Sequence, residues 1–257
     1  MIAREIFPQK YFKFYILNFT FAELSALLLA TAPFHIYYSQ EARPYALVTL
    51  LTSLSMYFFL KERWWGYLVA TTLALYSSYF VGFVILAQVL VILLRRKFKM
   101  LLYCCLTILF FLPWLPMFFK QIQAGQQAVF LLPEWERLVN VGFLRALPLT
   151  FLKFAVGRIT FFNKTIYVAV SGLVFIVYGF IILRGFSQKN KLPIIFWLLV
   201  PIVSAWLISF FVPNYQPFRL LLVLPAFYLL LAFGINQFAA RTVKIVLSVL
   251  VILVNLV

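Results

Sequence analysis

The sequence contains no aspartate, and its six acidic residues are all glutamates. No aspartate of this chain is therefore available as a catalytic base. Charged residues make up 11% of the chain, whereas soluble domains carry roughly 25%. The two cysteines, Cys104 and Cys105, are adjacent in an apolar run, so we interpret them as hydrophobic filling that says nothing about a redox compartment. The low share of charged residues excludes an ordinary soluble domain.

The chain instead contains long apolar runs. The chain of 257 residues is 65% hydrophobic and 20% aromatic, with a mean hydropathy of +1.03. Its apolar runs are continuous rather than alternating, which indicates membrane-spanning helices of about 17–25 residues and not a barrel. We predict an all-α, polytopic transmembrane bundle forming a single domain over residues 1–257. It has about nine spans, at residues 16–33, 45–60, 66–78, 80–94, 100–118, 165–183, 192–212, 218–234 and 244–257.

The net charge of +16 is spread in short clusters between the apolar runs. With a cytoplasmic N-terminus, fourteen basic residues fall on the inner side and eight on the outer side. This bias matches the positive-inside rule and contact with phospholipids, and it argues against a nucleic-acid groove. The connections 34–44, 119–164 and 213–219 are then predicted to face outward. The third and fourth spans are nearly continuous, and we expect a tight, re-entrant-like pair there.

The connection 119–164 is the one substantial region without a predicted span. Part of it mixes basic residues with Trp135, Leu138, Phe143 and other apolar side chains. One interpretation is one or two amphipathic helices that lie in the outer interface and are broken at Pro148. The other, equally supported, is an ordinary apolar cap over the bundle.

The stretch FHIYYSQEARPYAL, residues 34–47, is unusually polar for its surroundings. Arg43 has the planar fork that suits a phosphate or diphosphate oxygen, and the tyrosines offer rings and hydroxyls to a sugar. A structural alternative is that Glu41 pairs with a basic neighbour while the tyrosines form an interfacial belt. His35, taken alone, is more typical of an interfacial residue than of a catalytic one.

Two further residues attract attention because of where the spans place them. Arg219, in the short connection PNYQPFR, supplies a second arginine on the predicted outer side. Glu23 falls within the first predicted span, where an ionisable group is costly. It is interpreted either as a proton or cation relay or as a hydrogen-bonded side chain facing the bundle.

Several segments resemble polytopic GT-C glycosyltransferases of the RgtA/B/C/D-like, protein-mannosyltransferase-like branch. HIYYSQEARPYAL is similar to that family's P-x-H-x-x-Y-S-Q-E-A-R-x-Y-A-L signature. LYSSYFVGFVILAQ (75–88), FLPWLPMFFKQ (111–121) and PNYQPFRLLLVLPAFYLLLAFGI (213–235) resemble later family segments, in the same order. The resemblance covers residues 5 to 235, and its first motif is the specific one.

The resemblance implies an enzyme of the bacterial inner (plasma) membrane whose site faces outward. Its donor is a sugar on a polyprenyl phosphate, and its acceptor is a glycan, a lipid or a protein. No cofactor is assigned, and a divalent cation at the departing phosphate is left open. The donor-binding residues that it implies are Arg43, Arg219, Tyr38, Gln40, Glu41, Tyr45 and His35.

The sequence departs from the family at the residue expected to act as the base. Such enzymes carry a catalytic aspartate in the loop between their first two helices. Here AREIFPQKYFKFY resembles the turn before the family's third helix, and Ser78 replaces a family histidine. We therefore expect a chain truncated at its N-terminus, and also at its C-terminus, that lacks turnover alone. The alternatives are a lipid-linked saccharide flippase or transporter, with Glu23 as coupling group, and a non-catalytic membrane subunit.

Overall fold

The computed structural model describes residues 2, 21–131, 140–158, 164–186 and 191–256. Within these ranges the chain is almost entirely helical and contains no strand, which confirms the all-α class. The predicted positions Glu5, Glu134, Glu136, Trp135 and Leu138 lie outside them.

Seven α-helices form the first half of the described chain. They are α1 (Phe21–Ala30), α2 (Pro33–Ser39), α3 (Tyr45–Leu60), α4 (Trp64–Ser77), α5 (Val81–Arg95), α6 (Leu101–Phe111) and α7 (Leu115–Leu131). Short 3-10 turns at Phe98–Met100 and Leu112–Trp114 precede and follow α6.

Five α-helices form the second half of the described chain. They are α8 (Phe143–Val156), α9 (Lys164–Phe186), α10 (Leu192–Ile208), α11 (Leu224–Asn236) and α12 (Arg241–Leu256). A 3-10 segment, Pro217–Val223, runs directly into α11. Pro225 has no N–H to donate to the Leu221 carbonyl, which favours this tighter winding at the junction. The Thr52 hydroxyl donates to the nearby Leu222 carbonyl at 3.3 Å.

Three helical stretches are long and apolar enough to cross a membrane: Phe98–Gln127, Val168–Phe186 and Pro217–Asn236. Helices α3, α5 and α10 are shorter and also apolar. Large side chains such as Leu173 and Ile176 on α9 stand 64% and 69% exposed, as expected of a surface that faces lipid rather than water. These helices are consistent with a membrane protein. The predicted total of nine spans remains a prediction.

Helix α11 forms the centre of the bundle and is buried at every position from Leu224 to Ile235. It packs most extensively against α9, and two glycines let the backbones approach closely. A Cβ on Gly185 would lie 2.8 Å from the Leu230 carbonyl oxygen, and one on Gly234 would overlap the Ile181 carbonyl. Small residues at such crossings are how membrane helices come close enough for van der Waals packing.

A buried chain of hydrogen bonds joins α3, α4 and α5. Gln88 donates to the Ser55 hydroxyl at 3.1 Å and accepts from the Tyr67 hydroxyl at 2.9 Å. The Ser55 and Thr71 hydroxyls lie 2.7 Å apart. Because apolar surroundings offer no competing water, such bonds fix the relative register of helices.

Three expectations about local structure are wrong. Helices α4 and α5 do not form a tight pair, since α4 packs chiefly on α3 and α5 on α10. The chain does not leave its helix at residue 119, because α7 continues to Leu131. Helix α8 is not broken at Pro148. The proline removes only the backbone hydrogen bond that position 148 would donate to the Leu144 carbonyl. Leu144 is 86% exposed.

Two contacts join connections that the charge bias assigns to the same side of the membrane. Lys97 forms an ion pair with Glu62, which joins two predicted inner connections. Val141 donates its backbone N–H to the Tyr215 carbonyl at 2.9 Å, which joins two predicted outer connections. The 34–44 segment contacts the same region through α8 and the Pro217–Val223 segment.

Candidate functional site

The site is built on α2, whose bounds follow from local sequence. Pro33 occupies the first turn, where its missing N–H costs nothing. The helix ends at Ser39, whose hydroxyl donates to the Ile36 carbonyl at 2.8 Å. Phe34 and Tyr38, four residues apart, form its buried face. The short helix thereby directs Tyr38 inward, at the end of the bundle that holds the 213–219 connection.

The Tyr38 ring packs against the ring of nearby Tyr45 and against that of Phe218, from a distant part of the chain. The rings of Tyr38, Tyr45 and Phe218 lie pairwise 5.4 Å apart between centroids. Burial raises the pKa of Tyr38, so its hydroxyl is neutral at pH 7. We call Tyr38, Tyr45 and Phe218 the aromatic cluster. It holds the polar 34–47 stretch against the 213–219 connection. That both segments face outward stays a prediction.

Arg43 lies at the exposed edge of the aromatic cluster. Its guanidinium donates to the Tyr45 hydroxyl at 3.3 Å, and its Nε lies 3.8 Å from Oε2 of Glu41. The hydrogen bond to Tyr45 is the main cause that raises the pKa of Arg43. An ion pair this long and exposed contributes little to stability. The remaining guanidinium donors are therefore free to bind an anion from solution.

Glu41 has an unusual environment for a carboxylate. Its Oε2 is buried, and among the described residues no donor lies within hydrogen-bond distance of that atom. Part of the alternative interpretation is correct, because Glu41 does pair with a basic neighbour. The Glu41 carboxylate has a second oxygen, Oε1, and a carboxylate oxygen can accept a hydrogen bond from a sugar hydroxyl.

Arg219 approaches the cluster from the Pro217–Val223 segment. It is half-buried, and its guanidinium carbon lies 5.9 Å from the Phe218 ring centroid and 6.0 Å from that of Phe80. Burial is the main cause that lowers the pKa of Arg219, and the positive charge of Arg43 lowers it further. Two arginines beside aromatic rings favour a bound anion.

The other predicted residues are less closely involved. Burial lowers the pKa of His35, so the imidazole is neutral at pH 7, and no contact joins it to Arg43 or Arg219 in the described chain. Gln40 is exposed, with its backbone N–H donating to the Tyr37 carbonyl at 3.3 Å. The structure brings Arg43, Arg219, Tyr38, Tyr45 and Glu41 together, and it leaves His35 and Gln40 at the margin.

Tyr215 fixes the 213–219 connection in place. Its hydroxyl lies 2.8 Å from that of Thr150 on α8, and its backbone N–H donates to the Asn140 side chain at 3.0 Å. Burial raises the pKa of Tyr215 to about 12. These bonds hold the segment that carries Arg219, and the sequence alone gave no sign of the pairing with Thr150.

Arg158, directly after α8, is a residue of this region that the sequence patterns did not single out. Its guanidinium carbon lies 4.4 Å from the ring centroid of Tyr37. Gly157, immediately before it, carries the one usable signal, since glycine commonly follows the end of a helix.

An apolar groove of about 250 Å³ lies between α1, α3 and α11. Its lining includes Leu29, Leu54 and Leu229, with Ser25 and Ser53 as its small polar members. Helix α3 thus carries Tyr45 of the aromatic cluster at its start and one wall of the groove along its length. An aliphatic chain fits such a lining better than a polar ligand.

In the part of the chain that the structure describes, no group of three or more His, Cys, Asp or Glu side chains is placed to hold a metal ion. Searches against protein-family models, curated proteins and solved structures found no match for the chain.

Proposed function

We propose that the protein takes part in glycosyl transfer at the outer face of a membrane, and that it holds the phosphate of a polyprenyl-phosphate-linked sugar donor. The observation that carries this proposal is the pair Arg43 and Arg219 beside the aromatic cluster. The resemblance of the 34–47 stretch to GT-C glycosyltransferases supports the same activity.

The donor chemistry fits the residues present. A phosphate monoester or diester oxygen accepts paired hydrogen bonds from an arginine fork, and an aromatic border lowers the competition from water. A sugar places its apolar faces on tyrosine rings and its hydroxyls on acceptors such as the Glu41 carboxylate. A polyprenyl tail requires an aliphatic surface, which the groove between α1, α3 and α11 supplies.

The reaction is an inverting displacement at the anomeric carbon. The acceptor hydroxyl forms the new C–O bond as the bond between that carbon and the phosphate oxygen breaks, and the electron pair leaves with the phosphate. The acceptor proton passes to a general base. Arg43 and Arg219 stabilise the negative charge that develops on the leaving phosphate. No carboxylate of the described chain is assigned as that base, since Glu41 borders the donor phosphate.

The proposal is tested by binding of a radiolabelled polyprenyl-phosphate hexose to the purified chain in phosphatidylcholine nanodiscs. We expect saturable binding that polyprenyl phosphate displaces and that Arg219→Ala weakens. Arg145→Ala is the matched control, because Arg145 is exposed on α8 and carries the same charge. Absence of saturable binding, or equal binding by both variants, would contradict the proposal.

The same preparation separates transfer from transport. In sealed vesicles, a flippase moves the labelled sugar lipid from one leaflet to the other without releasing polyprenyl phosphate. A transferase, given its acceptor and base, releases polyprenyl phosphate instead. Leaflet exchange without release would favour the transporter alternative.

A further inference from the structure

Arg158 is held at the predicted outer end of the bundle by an aromatic contact. The guanidinium carbon stands 4.4 Å over the Tyr37 ring, and the Tyr37 and Tyr38 rings are 5.0 Å apart. Since Tyr38 also touches Phe218, rings connect Arg158 with the neighbours of Arg219 without a gap. Arginine stacked on an aromatic face keeps its in-plane donors free for a ligand.

The backbone before Arg158 is shaped for this position. Gly157 has φ of +74°, a conformation that residues with a side chain rarely adopt. A Cβ there would stand 2.9 Å from Pro33 side-chain atoms and 3.2 Å from the backbone nitrogen of Phe34. The glycine therefore lets the end of α8 lie directly against the start of α2.

The charge around Arg158 is not balanced within the described chain. No described carboxylate lies within ion-pair distance of Arg158 or Arg219, and Glu41 is the one that pairs with Arg43. Lys153, one turn earlier on α8, adds a further positive charge. Burial lowers the pKa of Lys153, and the charge of Arg158 lowers it further. Such an excess of positive charge at an aromatic surface favours an anionic ligand.

We propose that Arg158 is a third phosphate-binding arginine of the site, positioned by Gly157 and Tyr37 to contact the phosphate-bearing headgroup of a lipid. This inference rests on the proposed function and extends it to a residue outside the motif. The ligand chemistry is a phosphate on an isoprenoid chain, and the competing source of the same chemistry is the phosphate of bulk phospholipid.

The test measures binding of farnesyl phosphate to the full chain in a neutral detergent, with farnesol as the uncharged counterpart. Arg158→Ala is expected to weaken farnesyl phosphate binding about 10- to 100-fold, the loss typical of one hydrogen bond to a charged group. Farnesol binding should not change. Arg158→Lys retains the positive charge without the planar stack. We expect its affinity for farnesyl phosphate to lie between those of the unaltered chain and Arg158→Ala. Arg145→Ala, on α8, should bind like the unaltered protein.

A second arm identifies the source of the phosphate. Vesicles of phosphatidylglycerol and of phosphatidylcholine are offered to the same variants. If Arg158→Ala alters only attachment to phosphatidylglycerol and leaves farnesyl phosphate binding intact, Arg158 contacts bulk lipid and the inference is overturned. If the unaltered chain does not bind farnesyl phosphate, the proposed function itself fails. If the unaltered chain and Arg158→Ala bind farnesyl phosphate equally well, the inference about Arg158 is overturned and the proposed function is not.

The positioning role of Gly157 provides an independent check. Gly157→Ala should displace Arg158 and weaken farnesyl phosphate binding in the same direction as Arg158→Ala. Tyr37→Leu removes the ring beneath the guanidinium and leaves Gly157 in place, so it tests the stack even if the alanine variant does not fold. Full binding by a folded Tyr37→Leu variant would show that the stack does not position Arg158.

Discussion

The rings of Tyr38 and Phe218 lie 5.4 Å apart, inclined at 34° to each other. One belongs to the polar 34–47 stretch and the other to the short connection before α11. Each ring stands beside an arginine in its own segment, so the contact sets how far Arg43 is from Arg219. The packing of two apolar rings thereby determines the geometry of two charged groups.

Removing the Tyr38 ring should therefore unfold the site. Tyr38→Ala deletes a side chain that is 8% exposed, and we expect it to cost about 3–5 kcal/mol, as for other buried aromatic rings. Tyr38→Phe is the control, because no hydrogen bond of the hydroxyl is found in the described chain. Thermal unfolding in detergent compares the two. A large loss in the phenylalanine variant would mean that the hydroxyl, and not the ring, holds the cluster.

The environment of His35 predicts a dependence of stability on pH. Burial lowers the pKa of His35 below its ordinary value of 6.5, so the unfolded chain binds the proton more readily. Stability is then complete above pH 6.5 and falls as the pH drops below it. We expect the difference in Tm between pH 7.5 and pH 5.5 to shrink in His35→Asn. An unchanged difference would assign the pH dependence to other groups.

Gln88 is expected to matter for stability, although it is far from the site. Gln88→Leu removes the acceptor of the Tyr67 hydroxyl and the amide donor to the Ser55 hydroxyl. The expected cost is about 1–3 kcal/mol, the penalty of buried polar groups that lose their partners. Leu86→Ala, on the same helix and 43% exposed, is the comparison that should cost little. Equal losses in both would argue that Gln88 contributes only its bulk.

The crossing of α9 and α11 yields a prediction about two glycines. Gly234→Ala places a methyl group against the Ile181 carbonyl, and we expect a loss of about 1–3 kcal/mol or more from overpacking. Gly179→Ala should be tolerated, because nothing lies within 4 Å of its Cβ position. Denaturant unfolding of both variants checks this. Comparable stability in the two would mean that the helices separate without cost.

The sequence was a good guide to the helices because continuous apolar runs have one solution in a membrane. The predicted span 45–60 and helix α3 have the same bounds, and the predicted span 165–183 lies within α9. The break predicted at Pro148 failed because the cost of a proline depends on where the freed carbonyl points. That property belongs to tertiary structure and cannot be seen in a single residue type.

The site was predictable in part, for a similar reason. Arg43, Tyr45 and Arg219 were predicted because each stands in or beside a short polar connection between apolar runs, and the structure places them near one another. The sequence did not point to Phe218 and Arg158, since a phenylalanine in an apolar chain and an arginine after a helix are common. Only the crossing of α8 and α2 at Gly157 shows what Arg158 contacts. Long-range packing of this kind leaves no periodic trace in the sequence.

Arg43 and Arg219 are proposed to bind the phosphate of a lipid-linked donor. A single set of binding measurements tests this proposal. Binding of farnesyl phosphate and of farnesol is compared for the unaltered chain, Arg43→Ala, Arg219→Ala and the control Arg145→Ala. We expect each site variant to lose affinity for farnesyl phosphate by about 10-fold or more, with farnesol binding unchanged. The affinity of the control variant should not change. Equal affinity for the two ligands in the unaltered chain, or no loss in either site variant, would contradict the proposal.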